Sequence, residues 1–252
     1  MLVVVGLIFL IQWLAFIPAY LWQTERYYDL VGSATYILVA ISAVVLAGTF
    51  DTRSVLLALF IVVWAARLGS FLFLRILQDG SDSRFDKIKP SLPLFFRTWS
   101  LQGLWVTVTA GAALAAITSG VAANLQWWDG IAIAMWMLGF GIESIADRQK
   151  RQFRSEYGSA KFITTGLWGF SRHPNYFGEI LLWAGVALLA APQLQGWQCL
   201  TLVSPLFVYL LLTRVSGVVL LEHKSDRRWG ADPDYLEYKA RTPILWPRLR
   251  RS

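Results

Sequence analysis

The densest gathering of residues able to do chemistry lies between positions 143 and 179. The run Ser171-Arg172-His173-Pro174-Asn175-Tyr176-Phe177-Gly178-Glu179 places a guanidinium, an imidazole, an amide, a phenol and a carboxyl within nine residues. Proline is favoured in the first turn of a helix, where its missing N–H is no loss, so a helix is predicted to begin at Pro174. Arg172 and His173 then stand just outside it, and Asn175 and Glu179 share one face a turn apart. Backbone N–H groups at a helix start attract anions, and adjacent Arg and His strengthen that attraction. Upstream, Glu143 and Asp147 are one turn apart, and Asp147, Arg151 and Arg154 recur at helical spacings on a helix that Gly158 and Thr164-Thr165-Gly166 should break. Each residue has a bland alternative: an imidazole that only caps a helix, acids that are only solvated.

These side chains must be positioned by an unusual framework. The chain is 252 residues long, 56% hydrophobic and only 15% charged, against about 25% charged in soluble proteins. A helix needs about 20 mostly apolar residues to cross the hydrocarbon. Seven stretches are read as spans: 2–22, 30–49, 55–77, 99–120, 129–146, 176–192 and 199–221. The first is long, has no basic stretch before it and no small-residue cleavage pattern after it, so it reads as a span and not a secretory signal. The fold class expected is an all-α integral membrane protein, one membrane domain over 1–252, with about seven transmembrane helices. Tryptophans near span ends, Trp22, Trp99, Trp127, Trp128 and Trp197, are expected as interface anchors.

The net charge is +7, but its distribution argues against nucleic acid. Apart from Arg53 on the opposite side and Arg67 and Arg214 inside spans, the Lys and Arg residues fall in or beside the loops after spans one, three and five and in the tail from 222. Cytoplasmic loops carry such an excess, which puts the N-terminus outside and the C-terminus in the cytoplasm. Compact loops suggest a bacterial inner membrane. Most of these cations need only anionic lipid as a partner, and Arg248, Arg250 and Arg251 read as such an anchor. The lone Cys199 and two distant histidines give no metal site. Without a Gly-x-Gly-x-x-Gly after a strand there is no soluble dinucleotide-binding domain.

The stretch from Gly166 to Glu179, Gly-Leu-Trp-Gly-Phe-Ser-Arg-His-Pro-Asn-Tyr-Phe-Gly-Glu, resembles the signature of the steroid 5-alpha-reductase C-terminal-domain family. Ser216-Gly217 with Glu222, and the run 234–247, resemble that family's closing segments. Trp64-Ala-Ala-Arg-Leu-Gly69, Arg75 and Asp82-Ser-Arg84 are similar to its bacterial branch. The resemblance implies a cytoplasm-facing NADPH site within 143–247, with Asp147, Arg154, Asn175 and Glu179 as cofactor residues. Glu143 stands where the reductases usually carry Asn. Arg172, His173, Tyr176, Glu222, His223, Tyr235 and Arg241 are the further candidates for that site, since a dinucleotide's phosphates call for guanidinium forks and helix N-termini.

The reaction implied is hydride addition to an electron-poor C=C bond of an apolar, lipid-like or steroid-like enone, the hydride coming from the cofactor. The protein must polarise the carbonyl. The steroid reductases use an adjacent Gln-Glu pair, which this chain lacks; Glu25, Tyr28 and Asp29 are the candidates, with Arg67, since a charge inside a span is a functional hypothesis. A structural partner such as Asp29 is the alternative for Arg67. Two rivals stand beside the reductase. Isoprenylcysteine carboxyl methyltransferases share a related Arg-His-Pro-x-Tyr element and use S-adenosylmethionine. A non-enzymatic lipid-binding membrane protein would explain the spans but not the polar run 171–179. The partners expected are the bilayer and a lipid-like small molecule, with no nucleic acid; the oligomeric state is not legible.

Overall fold

In hydrocarbon every backbone N–H and C=O must find a partner within the chain, and a helix satisfies its own. The computed structural model of the chain, which describes residues 1–48, 50–158 and 160–248, is accordingly helical, with no strand among the described residues. Position 49, at the edge of the second expected span, and Arg250 and Arg251 of the expected lipid anchor lie outside the described residues. Six helical runs are long and apolar enough to cross a membrane, and a bent pair makes a seventh. The chain divides into two compact units, Met1–Asp129 with Val186–Ser204, and Gly130–Gly185 with Pro205–Ser252.

The first unit contains α1 (Leu2–Leu21), α2 (Tyr28–Ala47), α3 (Thr52–Asp79), α4 (Leu92–Thr109) and α5 (Gly111–Ile117). Asp51 starts α3 by accepting from the Ser54 N–H at 3.1 Å, a cap that satisfies a backbone donor otherwise without a partner. Where lipid is as apolar as leucine, polar bonds and close contacts hold helices together. Gln12 of α1 donates to the Thr35 hydroxyl of α2 at 2.8 Å, and Gln102 of α4 donates to the Tyr28 carbonyl at 3.1 Å. Leu10, Leu14, Ile17 and Leu21 of α1 stay exposed, as lipid-facing residues should.

The fourth expected span is corrected. Its helix begins at Leu92, seven residues before the expected 99, and α4 and α5 meet at a 60° bend around Ala110. Pro93 fits the first turn, so the helix starts earlier than hydropathy suggests. Beyond the bend α5 is buried along its whole length. Trp99 is likewise not an interface anchor: it is 1% exposed and lies edge-on to Tyr28 and Phe95. Trp22, Trp127, Trp128 and Trp197 are exposed as expected.

Arg53, which the sequence leaves as a lone charge in the outer loops, is fully buried. It grips both carboxylate oxygens of Asp129, at 2.7 and 2.6 Å. It also donates to the carbonyls of Leu189, Ala123 and Asn124 at 2.8, 3.2 and 3.0 Å. Five N–H groups thus find five acceptors. Gln193 adds a bond to the Val121 carbonyl at 2.8 Å. The segment between α5 and Asp129, which forms no helix, is held by these side chains.

The second unit contains α6 (Asp129–Tyr157, from Gly130 on), α7 (Pro174–Ala190, to Gly185), α8 (Ser204–Leu210, from Pro205), α9 (Val218–Trp229) and α10 (Pro233–Arg241). α6 runs past its apolar part to Tyr157, and Gly158, at φ +60°, ends it. The last expected span, 199–221, is not one regular helix. After α8 comes a π-helical turn, Leu211–Val215, then a break at Ser216-Gly217 before α9. α6 and α7 touch through glycines. A Cβ on Gly139 would lie 2.5 Å from the Gly178 carbonyl oxygen, one on Gly178 2.6 Å from that of Gly139, and one on Gly185 2.7 Å from that of Ala132. Small residues let backbones approach this closely.

Two outcomes test these contacts. Arg53→Met and Asp129→Leu should each lower stability by about 3–5 kcal/mol, because each leaves a buried charge without its partner, while the double variant should lose less than either; thermal unfolding in detergent measures this. Gly178→Val should prevent α6 and α7 from closing, and the variant should elute as aggregate or lose most of its helical signal, whereas Gly130→Val, where a Cβ meets nothing within 4 Å, should not.

Candidate functional site

The site of the second unit is built on the loop between α6 and α7. Gly166 begins a short 3-10 turn, Gly166–Gly169, with φ +60°, a conformation that costs glycine little. A Cβ there would also strike the side chain of Gln149. That side chain accepts from the Leu167 N–H at 3.0 Å. Trp168, buried, donates its indole N–H to the Ala146 carbonyl of α6 at 3.1 Å. The tail clamps the other side. The Tyr238 hydroxyl donates to the Trp168 carbonyl at 2.8 Å. The Ser171 hydroxyl donates to the Leu245 carbonyl at 2.8 Å, and the Arg172 N–H to that of Pro243 at 2.9 Å. Phe162, Trp229, Tyr235 and Tyr238 pack as an aromatic cluster behind this clamp. Burial raises the Tyr235 and Tyr238 phenols above their ordinary value, so both remain protonated donors at neutral pH.

With the loop fixed at both ends, Arg172 and His173 enter the interior; both are buried. Glu222 of α9 meets the two of them. One carboxylate oxygen lies 2.6 Å from the Arg172 guanidinium and the other 2.8 Å from His173 Nε2. Lys239 of α10 is 4.0 Å from Glu222 and 2.5 Å from Asp226, which also accepts from the Tyr235 hydroxyl at 3.0 Å. Burial holds the His173 imidazole below its ordinary 6.5 in spite of Glu222, so it is neutral at pH 7. In the first turn of α7, Asn175 donates to Asp147 of α6 at 3.2 Å, a pairing that the glycine contact permits. Tyr176 stacks on His173 with ring centroids 5.6 Å apart. A Cβ on Gly217 would lie 2.8 Å from the Tyr176 ring.

Beside this network opens a cleft of about 670 Å³, within the range of about 300–1,000 Å³ usual for small-molecule sites. Arg172, Arg214, Glu222, His223, Asp226 and Lys239 supply its polar lining; Val218, Val219, Ile244, Leu245 and Trp246 supply apolar surface. Of the residues the sequence nominates for a cofactor, Arg172, Glu222 and His223 line the cleft, and His173, Tyr176, Asn175, Asp147 and Tyr235 belong to the surrounding network. Glu143 is buried on α6 and Glu179 half-buried on α7. Arg154 is exposed in the last turn of α6. Arg241 is exposed and paired with Glu237 at 2.9 Å. The cleft also holds Asp226 and Lys239, which the sequence does not single out. Asp226 lies one turn beyond Glu222, a signal the spacing does offer; nothing in the sequence points to Lys239.

Glu25, Tyr28, Asp29 and Arg67 belong to the first unit. Glu25 is buried, 2.6 Å from the Lys89 ammonium, and accepts from the Asp82 N–H at 2.8 Å. Burial raises its carboxyl, but these bonds outweigh it and hold the group below the ordinary 4.5. Tyr28 donates to the Thr98 carbonyl at 3.0 Å. The partner expected for Arg67, Asp29, lies 3.6 Å from Arg75; Arg67 sits half-buried within α3.

Helices long and apolar enough to cross a membrane define a helical membrane protein, and its second unit carries a cleft in which cations face carboxylates. Within that class the chain belongs to the family DUF1295, described as proteins of unknown function, which it matches over residues 15–242. An uncharacterized protein of Schizosaccharomyces pombe is 25% identical over 231 residues, covering 79% of this chain and 65% of its own length. The nickel-cobalt-cadmium resistance protein NccN of Alcaligenes xylosoxydans xylosoxydans is 24% identical over 147 residues, covering 58% of this chain and 64% of its own. The chain thus spans just under two thirds of the length of these relatives. No solved structure matches.

The Glu25 pair carries a pH signature. A carboxyl held below 4.5 in the folded state stabilises it above pH 4.5, and that contribution is lost as pH falls through the lowered value. Glu25→Gln should therefore lower the melting temperature at pH 7 and show a smaller further fall than the parent between pH 5 and pH 3. Parallel melting curves would contradict this role.

Proposed function

We propose that the protein is a membrane oxidoreductase that holds NADPH at the cleft of the second unit and reduces an electron-poor C=C bond of an apolar, lipid-like substrate. The observation that carries this reading is the buried Arg172, set beside a helix start and lining a cleft with Arg214, His223 and Lys239. That donor set suits the phosphates of a dinucleotide. The fit is supported by a buried donor: among the described residues Arg172 Nε has no hydrogen-bond acceptor. The DUF1295 family is associated with steroid 5-alpha-reductase-like proteins, and residues 166–179 resemble that signature. The one-sided Lys and Arg residues support a cytoplasm-facing site, and compact loops a bacterial inner membrane.

When bound, NADPH supplies a hydride. Arg172, Arg214, His223 and Lys239 would hold its phosphates, and Asn175 and Asp147 would orient it through polar contacts. Glu222 keeps the Arg172 guanidinium in place while leaving its Nε open. Trp246, Leu245 and Val218 give apolar surface along one part of the cleft.

A second reading has its own support. Glu222 and Asp226 offset the charges of Arg172 and Lys239. So balanced a lining also suits S-adenosylmethionine, which carries both signs, and the Arg-His-Pro-x-Tyr element is common to the methyltransferases. A side-by-side titration of the purified full chain in detergent separates the two. NADPH should bind, and Arg172→Ala and Arg214→Ala should each weaken binding by about tenfold or more. Unchanged NADPH affinity in both variants overturns the site, and a signal with S-adenosylmethionine alone reverses the assignment.

A further inference from the structure

Arg214 is the one charge between Pro205 and Leu221. It stands in the π-helical turn Leu211–Val215, on a run apolar enough to cross a membrane. A guanidinium there is costly unless it finds a partner or reaches water. Arg214 lines the cleft with the cations Arg172 and Lys239 and the acids Glu222 and Asp226. Those four are matched inside the protein: Arg172 lies 2.6 Å from Glu222, and Lys239 2.5 Å from Asp226. Among the described residues Arg214 has no side-chain ion pair or hydrogen bond. The cleft therefore carries a positive charge that the protein does not answer. Another part of its lining is apolar and open. Val219, Ile244 and Trp246 line the cleft and are still 40%, 46% and 63% exposed. Val215 and Leu220, their neighbours in the chain, are exposed as well. Trp246 is held edge-on to Phe177 of α7, with ring centroids 5.6 Å apart. Large apolar side chains left open together mark a surface that something apolar covers, and tryptophan prefers the level of lipid head groups.

We propose that the cleft takes the head of an anionic membrane lipid, with Arg214 and Lys239 receiving its phosphate and the acyl chains leaving across Val219, Ile244 and Trp246. A guanidinium fork matches phosphate geometry. A free phosphate would answer the charge of Arg214 and leave the apolar rim bare. A lipid without net charge would cover the rim and leave the guanidinium unanswered. An anionic amphiphile meets both needs. Glu222 and Asp226 already engage Arg172 and Lys239, so a head with one net negative charge fits better than a polyanion. The lipid site stands on the lining of the cleft. That lipid and NADPH exclude each other rests on the cofactor reading above, since both call on the same cations. Anionic lipid is then a competitive regulator of cofactor binding.

Native mass spectrometry of the full chain in a neutral detergent, titrated with lipid, tests this. Phosphatidylglycerol should be retained as a single adduct, about tenfold tighter than phosphatidylcholine. Arg214→Gln should abolish that preference. Arg227→Gln removes an exposed cation of α9 that does not line the cleft, and should keep it. Glycerol 3-phosphate, the head without its chains, should not compete even in large excess, because it lacks the apolar contacts. Equal retention of the two lipids, or an unchanged preference in Arg214→Gln, overturns the proposal. Competition by glycerol 3-phosphate at the lipid's own concentration overturns a lipid as the occupant. Added NADPH should displace the lipid. Where NADPH binds and the lipid stays, the lipid site stands and the place of NADPH at the cleft is overturned. Where NADPH binds and no lipid is retained at any concentration, the lipid site is overturned and the cofactor reading stands.

Discussion

The backbone contact between α6 and α7 is the constraint on which the site depends. Two helices in hydrocarbon gain little from apolar burial against each other, because lipid offers the same surroundings. They gain from close approach. Gly139, Gly178 and Gly185 remove the side chains that would hold the axes apart, and carbonyl oxygens of one helix fill the space. That approach lets Asp147 of α6 reach Asn175 at the start of α7. It also sets the ends between which the loop 158–173 must fold. Trp168, Gln149 and Ser171 then fasten the loop to α6 and to the tail.

The loop in turn makes an otherwise costly burial tolerable. Arg172 and His173 leave water, and one acid answers both. A carboxylate shared between a guanidinium and a neutral imidazole balances charge without satisfying every donor and acceptor. Arg172 Nε and His173 Nδ1 stay open among the described residues. Buried networks are normally complete. This network borders the cleft through Arg172 and Glu222, which ties the electrostatics of the loop to the function proposed for it.

The first unit solves a different problem with similar means. Arg53 spends its five donors on Asp129 and three carbonyls, and so holds a non-helical stretch by its Ala123 and Asn124 carbonyls. Gln12, Thr35 and Gln102 join helices by single buried bonds. Glu25 and Lys89 do the same between segments outside the helices. None of these groups lines the cleft; they serve the packing of their own unit.

Much was legible in the sequence because it depends on local properties. Apolar run length determined the helices, since no other local structure satisfies the backbone in lipid. Pro174 determined where α7 begins, and Gly158 where α6 ends. Clustering of Arg172, His173 and Asn175 beside a helix start marked the site. Pairing was not legible. Glu222 reaches Arg172 across about fifty positions, Lys239 finds Asp226 from another helix, and Arg53 finds Asp129 from the start of α3. Trp99 at a span edge looks like an anchor until Tyr28 and Phe95 close around it, and the bend at Ala110 breaks a run whose hydropathy is continuous. The sequence by itself determined which segments are helical and which residues carry charge. The tertiary structure decided which charges are neutralised, which atoms stay open and which aromatic rings are inside. Those depend on what approaches each residue from elsewhere in the chain, and composition and spacing carry no record of it.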